Sequence, residues 1–157
     1  KAREIVEKLP PFVQTVGLFV NENENFINEV CTESKMQLAQ IIDDNEILNY
    51  ELLKVKSIKV IRVKSQKDLR DLNKDFYLLD AFVDSFGGEG KRVALEWFEN
   101  LDCSKFILAG GLTSSNLKEI HGYGFYGVDV SSGVEESKGK KSKQKMIDFL
   151  KEANEIA

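Results

Sequence analysis

Short apolar, β-branched runs alternate with longer stretches in which apolar residues recur every three or four positions, and this continues from one end of the chain to the other. Such alternation is the signature of βα units building a parallel sheet. Six strands are expected, at residues 13–20, 36–42, 58–63, 76–82, 106–110 and 126–131. Most are apolar along their length, as strands covered on both faces are. Between them, Phe26, Ile27 and Val30, then Leu48, Leu52 and Leu53, then Leu95 and Phe98 beside Trp97 have helical spacing, so six βα pairs are expected. Residues 143–157 put Met146, Ile147, Phe149, Leu150, Ala153 and Ile156 on one broad apolar stripe, which should pack on the outside of the last strands. Residues 2–9 place Ile5 and Leu9 at helical spacing before Pro10-Pro11. The chain therefore opens on a helix without the strand that should precede it, and an upstream segment is expected.

Six parallel strands fit either an open doubly wound sheet or part of a closed barrel. The open sheet commonly binds ligands with a glycine-rich first turn, and none follows Val20. The glycine signals come late, at Gly110-Gly111 and Ser131-Ser132-Gly133. A TIM barrel very often holds a substrate phosphate on the loops after its seventh and eighth strands. The expected fold is thus α/β, a (β/α)8 TIM barrel of which strands three to eight are present, with 1–157 forming a single, incomplete barrel domain. The absent piece would be a βαβ unit of roughly 30 to 45 residues.

Composition narrows the function. The 157 residues are 42% apolar with only two prolines, enough for a real core. Lys plus Arg number 22 against 26 Asp plus Glu, and the net charge of −4 is dispersed, which argues against nucleic-acid or membrane-surface binding. Nothing approaches the ~20 apolar residues of a membrane span. Cys31 and Cys103 match no zinc or CxxC spacing, so a reducing, cytoplasmic setting with buried thiols is expected. The lone His121 precedes Gly122 and suits a helix C-terminus. No metal site is expected.

Three places could carry chemistry. Leu108-Ala109-Gly110-Gly111-Leu112-Thr113-Ser114-Ser115-Asn116 ends a strand in two glycines and starts the next element on a hydroxyl-rich cluster, an anion-binding arrangement or an ordinary tight βα turn. Gly127-Val128-Asp129-Val130-Ser131-Ser132-Gly133 adds an aspartate, two hydroxyls and a flexible glycine; Asp129 could instead cap a turn. Two adjacent donor loops favour a phosphate. Asp80, near the C-terminal end of a strand, would occupy the face where barrel active sites lie, and burial among Leu79, Phe82 and other apolar groups would raise its pKa toward general-acid work. A strand-end aspartate bonded to local backbone is the alternative. Gly87-Gly88-Glu89-Gly90-Lys91 looks like a nucleotide loop, but Ser85 stands at the first glycine position and Arg92 follows Lys91. A mobile lid carried by Gly87, Gly88 and Gly90 is the better reading.

Together these segments resemble the phosphoribosylanthranilate isomerase family along nearly the whole chain. Leu9-Pro10-Pro11-Phe12-Val13 with Val16-Gly17-Leu18-Phe19-Val20-Asn21 is similar to its second helix end and third strand. Leu79-Asp80, the Gly87 to Lys91 loop, Leu108 to Leu112 and Gly127 to Glu135 follow its later signatures in order. The resemblance implies an Amadori rearrangement of N-(5-phosphoribosyl)anthranilate to the 1-deoxyribulose 5-phosphate, with no cofactor; a small-molecule phosphosugar partner, no nucleic acid or membrane, and a cytoplasmic monomer or homodimer are expected. It implies Asp80 as general acid, Gly110, Gly111, Ser131, Ser132 and Gly133 on the phosphate, and Asp129 orienting the sugar. The family's Lys-Ile-Cys-Gly base motif does not occur here, its anthranilate-binding arginine would lie before Lys1, and Ile42 stands where the family usually has histidine. A histidine-pathway aminoaldose isomerase and a noncatalytic phosphate-binding domain are the alternatives.

Overall fold

The computed structural model describes residues 1–72, 75–82 and 92–156. The chain forms two compact units, Lys1–Val60 and Ile61–Ala157.

In the first unit, helix α1 (Ala2–Val6) is shorter than expected. Lys8 and Leu9 donate three residues back, to Ile5 and Val6, so the last turn tightens before Pro10-Pro11. Strand β1 (Val16–Val20) begins three residues late, because Phe12 adopts a left-handed φ of 67° and turns the chain. Helix α2 (Glu24–Ser34) follows; the Asn23 side chain accepts the Phe26 N–H at 3.0 Å, and Lys35 closes the helix at φ 57°. Strand β2 (Leu38–Ile42) runs parallel to β1, from Val16 opposite Leu38 to Val20 opposite Ile42. Strand β3 (Lys56–Val63) pairs in parallel with β2 through Lys59. Ile27 and Cys31 of α2 pack with Phe19, Ala39, Ile41 and Leu48 to form this unit's core.

The Leu48 to Leu53 stretch is only a 3-10 turn, Tyr50–Leu52, and not a helix. Asn28 explains the difference: its side chain donates to the Leu52 carbonyl at 2.9 Å and accepts the Lys54 N–H at 2.7 Å, taking up backbone groups that a helix would satisfy internally.

In the second unit, β4 (Tyr77–Ala81) lies beside the end of β3, where the Phe82 N–H donates to the Val63 carbonyl at 3.0 Å. Strands β5 (Phe106–Leu108) and β6 (Gly127–Val128) continue the parallel pairing, so β4, β5 and β6 lie side by side in chain order. Here too the expected βα helices are 3-10 turns, at Leu95–Phe98 and Leu117–Ile120. Four residues between Asn116 and His121 cannot repay helix nucleation, and a three-residue repeat suffices to bury both Leu117 and Ile120.

A hairpin that sequence reasoning missed, β7 (Glu135–Ser137) with β8 (Lys140–Lys141), turns at Gly139 with φ 79°. Helix α3 (Lys143–Ile156) ends the chain. Its buried stripe is narrower than expected: Phe149 is buried and Ala153 and Ile156 pack beside it, while Met146, Ile147 and Leu150 face outward. Positions 149, 153 and 156 follow the 3.6-residue repeat, whereas Ile147 and Leu150 fall well off that line. The core of this unit joins Leu79, Ala81, Phe98, Phe106, Leu108, Leu117 and Phe149.

Candidate active site

Register decides which side chains share a face. Leu79 is opposite Leu108, and Leu108 is opposite Val128. The Ala109 N–H donates to the Leu79 carbonyl and the Asp129 N–H to the Leu108 carbonyl, both at 2.8 Å. One residue further, Asp80, Ala109 and Asp129 therefore stand level at the C-terminal ends of three adjacent strands. Leu79, Leu108 and Val128 pack in the core cluster, so alternation turns Asp80 and Asp129 together to the opposite face.

Both carboxyls are held above their ordinary pKa. For Asp80 burial is the main cause; the Ala81 backbone N–H opposes it, the Asp129 charge adds to it and the Arg62 guanidinium opposes it. For Asp129 burial again dominates, with Lys141 pulling the other way. Arg62 also lies over the Phe82 ring at 4.5 Å. The pair thus combines an acid that retains its proton to higher pH with a second carboxylate near enough to be felt.

The two glycine-bearing turns meet beside this pair. Gly110 and Gly111 take φ values of 86° and 62°, which only glycine adopts freely. Asn116 braces the turn, donating to the Gly111 carbonyl at 2.9 Å and accepting the Thr113 N–H at 2.9 Å. From the next turn, Gly133 is pressed so close that a Cβ there would sit 1.8 Å from the Leu112 carbonyl oxygen. Backbone contact therefore joins the two turns into one surface next to Asp129.

A family model described as N-(5'phosphoribosyl)anthranilate (PRA) isomerase matches residues 1–152. The chain belongs to the N-(5'-phosphoribosyl)anthranilate isomerase family. An isomerase of that name from a Nitratiruptor species is 52% identical over 153 residues, covering 98% of this chain and 78% of the relative. The Thermotoga maritima phosphoribosyl anthranilate isomerase is similar in structure at TM-score 0.80 and 32% identity, over 98% of this chain and 79% of that one. Another isomerase structure, in complex with reduced 1-(o-carboxyphenylamino)-1-deoxyribulose 5-phosphate, is similar at TM-score 0.75 and 31% identity, over 98% and 78%.

Of the residues singled out for isomerase chemistry, Asp80, Asp129, Gly110, Gly111, Ser131, Ser132 and Gly133 all fall at the strand ends and turns just described. Gly87, Gly88 and Gly90 lie outside the described residues. His121 ends the 3-10 turn Leu117–Ile120. Cys31 and Cys103 are buried, and burial raises both thiols, Cys103 to about 11 with help from Asp102. Neither suits proton abstraction.

Sequence reasoning missed Lys141. Its ammonium donates to the Ser131 carbonyl at 2.8 Å, the Ser131 Oγ at 3.2 Å and Glu135 Oε1 at 2.8 Å. The Gly139 N–H donates to Glu135 Oε2 at 3.1 Å. The Lys141 bond, then the Gly139 N–H, hold the Glu135 carboxyl below its ordinary value of 4.5. A lowered carboxylate stabilises the hairpin above the unfolded-state pKa, and that contribution disappears as pH falls through the lower native value. An NMR titration should therefore show the Gly139 amide shift moving with a midpoint below 4.5. A midpoint at or above the ordinary value would contradict the clasp.

Proposed function

We propose that Asp80 is the general acid of N-(5'-phosphoribosyl)anthranilate isomerisation, that Gly110, Gly111, Ser131, Ser132 and Gly133 hold the substrate phosphate, and that Asp129 orients the sugar hydroxyls. The activity is the family's isomerisation, a step of tryptophan biosynthesis. The observation that carries the residue assignments is the common level of Asp80 and Asp129 beside two turns in backbone contact at Gly133 and Leu112.

The chemistry follows from charge. A protonated Asp80 gives its proton to the furanose ring oxygen, the C1–O bond opens, and the anthranilate nitrogen carries the resulting iminium. That positive charge acidifies the C2 proton, so one base completes the enolamine, which tautomerises to the ketone. Backbone N–H groups suit the phosphate because they bind an anion without leaving a buried cation in the empty site. In this reading the base is the family's first-strand cysteine and the six strands are the third to eighth of the (β/α)8 barrel. The phosphosugar is its partner, no cofactor is needed, and the protein works in the cytoplasm as a monomer or homodimer.

Loss of anthranilate-substrate fluorescence with the intact protein tests the assignment. Because acid and base suffice, dialysis against EDTA should leave kcat within about twofold. A rate abolished by EDTA and restored by a divalent cation would refute it.

A further inference from the structure

We infer that Lys141 is a positioning residue of the phosphate site: its ammonium pins the Ser131 carbonyl and hydroxyl so that the turn presents donors to an anion. The inference rests on the phosphate assignment above and extends it to a residue in the following hairpin.

A turn that binds phosphate through N–H groups has an intrinsic difficulty. Each peptide unit that offers an N–H also carries a carbonyl oxygen, and a carbonyl facing the anion would repel it. The structure answers this in the same way at both turns. After β5, the Asn116 amide holds the Gly111 carbonyl at 2.9 Å. After β6, Lys141 holds the Ser131 carbonyl at 2.8 Å, and the Val134 N–H reaches the same oxygen at 3.4 Å. With its lone pairs so occupied, that oxygen is committed to the hairpin side.

Among the described residues the three Lys141 donors are all engaged within the turn and hairpin. An ammonium has three N–H donors, and the Ser131 carbonyl, the Ser131 Oγ and Glu135 Oε1 supply three acceptors at 2.8, 3.2 and 2.8 Å. A lysine whose donors are already engaged acts through the loop and not by gripping the substrate. Because Lys141 takes the Ser131 Oγ as an acceptor, the hydroxyl hydrogen is left to point elsewhere, as a donor. The same cation opposes the rise in the Asp129 pKa, so its charge reaches the site as well as the loop. Glu135 aims the lysine, and Lys145 donates to the Glu135 carbonyl at 2.6 Å, tying the hairpin to the first turn of α3.

The test uses the intact protein with inorganic phosphate as probe. In Lys141→Met, the inhibition constant for phosphate and the KM should each rise roughly tenfold while kcat changes less than about threefold, the pattern of lost ground-state binding. Lys141→Arg, which keeps a charged donor, should recover most of the phosphate affinity. Lys141→Gln gives the same comparison should the methionine variant not remain folded, with an intermediate loss. Unchanged phosphate inhibition in Lys141→Met or Lys141→Gln overturns the inference, as does a fall in kcat at unchanged KM. Gly133→Ala separates the two levels of the argument. If it weakens phosphate binding while the Lys141 variants do not, the phosphate turns stand and the role of Lys141 fails. If phosphate inhibits none of these proteins competitively, the phosphate assignment itself fails.

Discussion

Asp80→Asn should remove isomerase turnover and leave the protein at least as stable as before. An asparagine has nearly the same shape and still accepts the Ala81 N–H, but it cannot deliver a proton, so kcat should fall by about 10²- to 10⁴-fold. The stability effect has the opposite sign. Burial, the Asp129 charge and the weaker opposition of Ala81 and Arg62 leave the native Asp80 pKa raised. A raised acid is favoured in its protonated form by the fold, so the native state loses stability as pH climbs from the unfolded pKa to the native one, and carries the full cost above it. Asparagine has no charge to bury. Its melting temperature at neutral pH should match or exceed that of the wild type, and the gap should close at pH values below the ordinary 3.8 of aspartate. Loss of activity together with a large drop in melting temperature would mean that Asp80 is a structural residue and not the acid.

Gly133→Ala should do the reverse, damaging structure and substrate binding together. The added carbon would lie 1.8 Å from the Leu112 carbonyl oxygen, 3.0 Å from its carbon and 3.2 Å from Val130 Cγ2. Two of those three neighbours are backbone and cannot rotate aside. The turns after β5 and β6 must separate, at a cost of about 1–3 kcal/mol or more for overpacking. Phosphate affinity should fall with it, because both turns form the same surface. Gly127→Ala is the control: a Cβ there meets only Ile107 Cγ1, at 3.9 Å, an ordinary contact. Thermal melts and phosphate titration of both variants decide the matter. Equal stability for Gly133→Ala and wild type would show that the turns do not touch as described.

The strands, and the placement of the candidate site residues at their ends, were more legible in the sequence than the connections were. Each expected strand overlaps an observed one, five of them containing it and the third starting two residues late against the observed Lys56–Val63, because runs such as Tyr77–Ala81 and Phe106–Leu108 are apolar enough to be covered and too short to be helices. Asp80 and Asp129 were visible as charged residues breaking those runs near their C-terminal ends. The connection after β4 misled because Leu95 and Phe98 are three residues apart. That spacing fits the first turn of an α-helix and also a 3-10 turn, in which such side chains eclipse. Only segment length separates the two.

Lys141 escaped for another reason. The stretch Glu135-Glu136-Ser137-Lys138-Gly139-Lys140-Lys141 reads as a solvated charge run, yet acids before a glycine and bases after it are what a short hairpin needs for cross-strand pairs. The observed Lys141–Glu135 bridge, at 2.8 Å, is one of these. Read as strand–turn–strand, that run would have pointed back at Ser131.

The spatial claim that supports all of this can be tested in one crystal structure of the intact protein with a stable analogue of the ring-opened phosphosugar. The phosphate should lie against the backbone N–H groups of the Gly110–Gly111 and Ser131–Gly133 turns, with the former ring oxygen within about 2.6–3.2 Å of the Asp80 carboxyl. A phosphate bound elsewhere, or an analogue whose former ring oxygen cannot reach Asp80 directly or through one water, would contradict it.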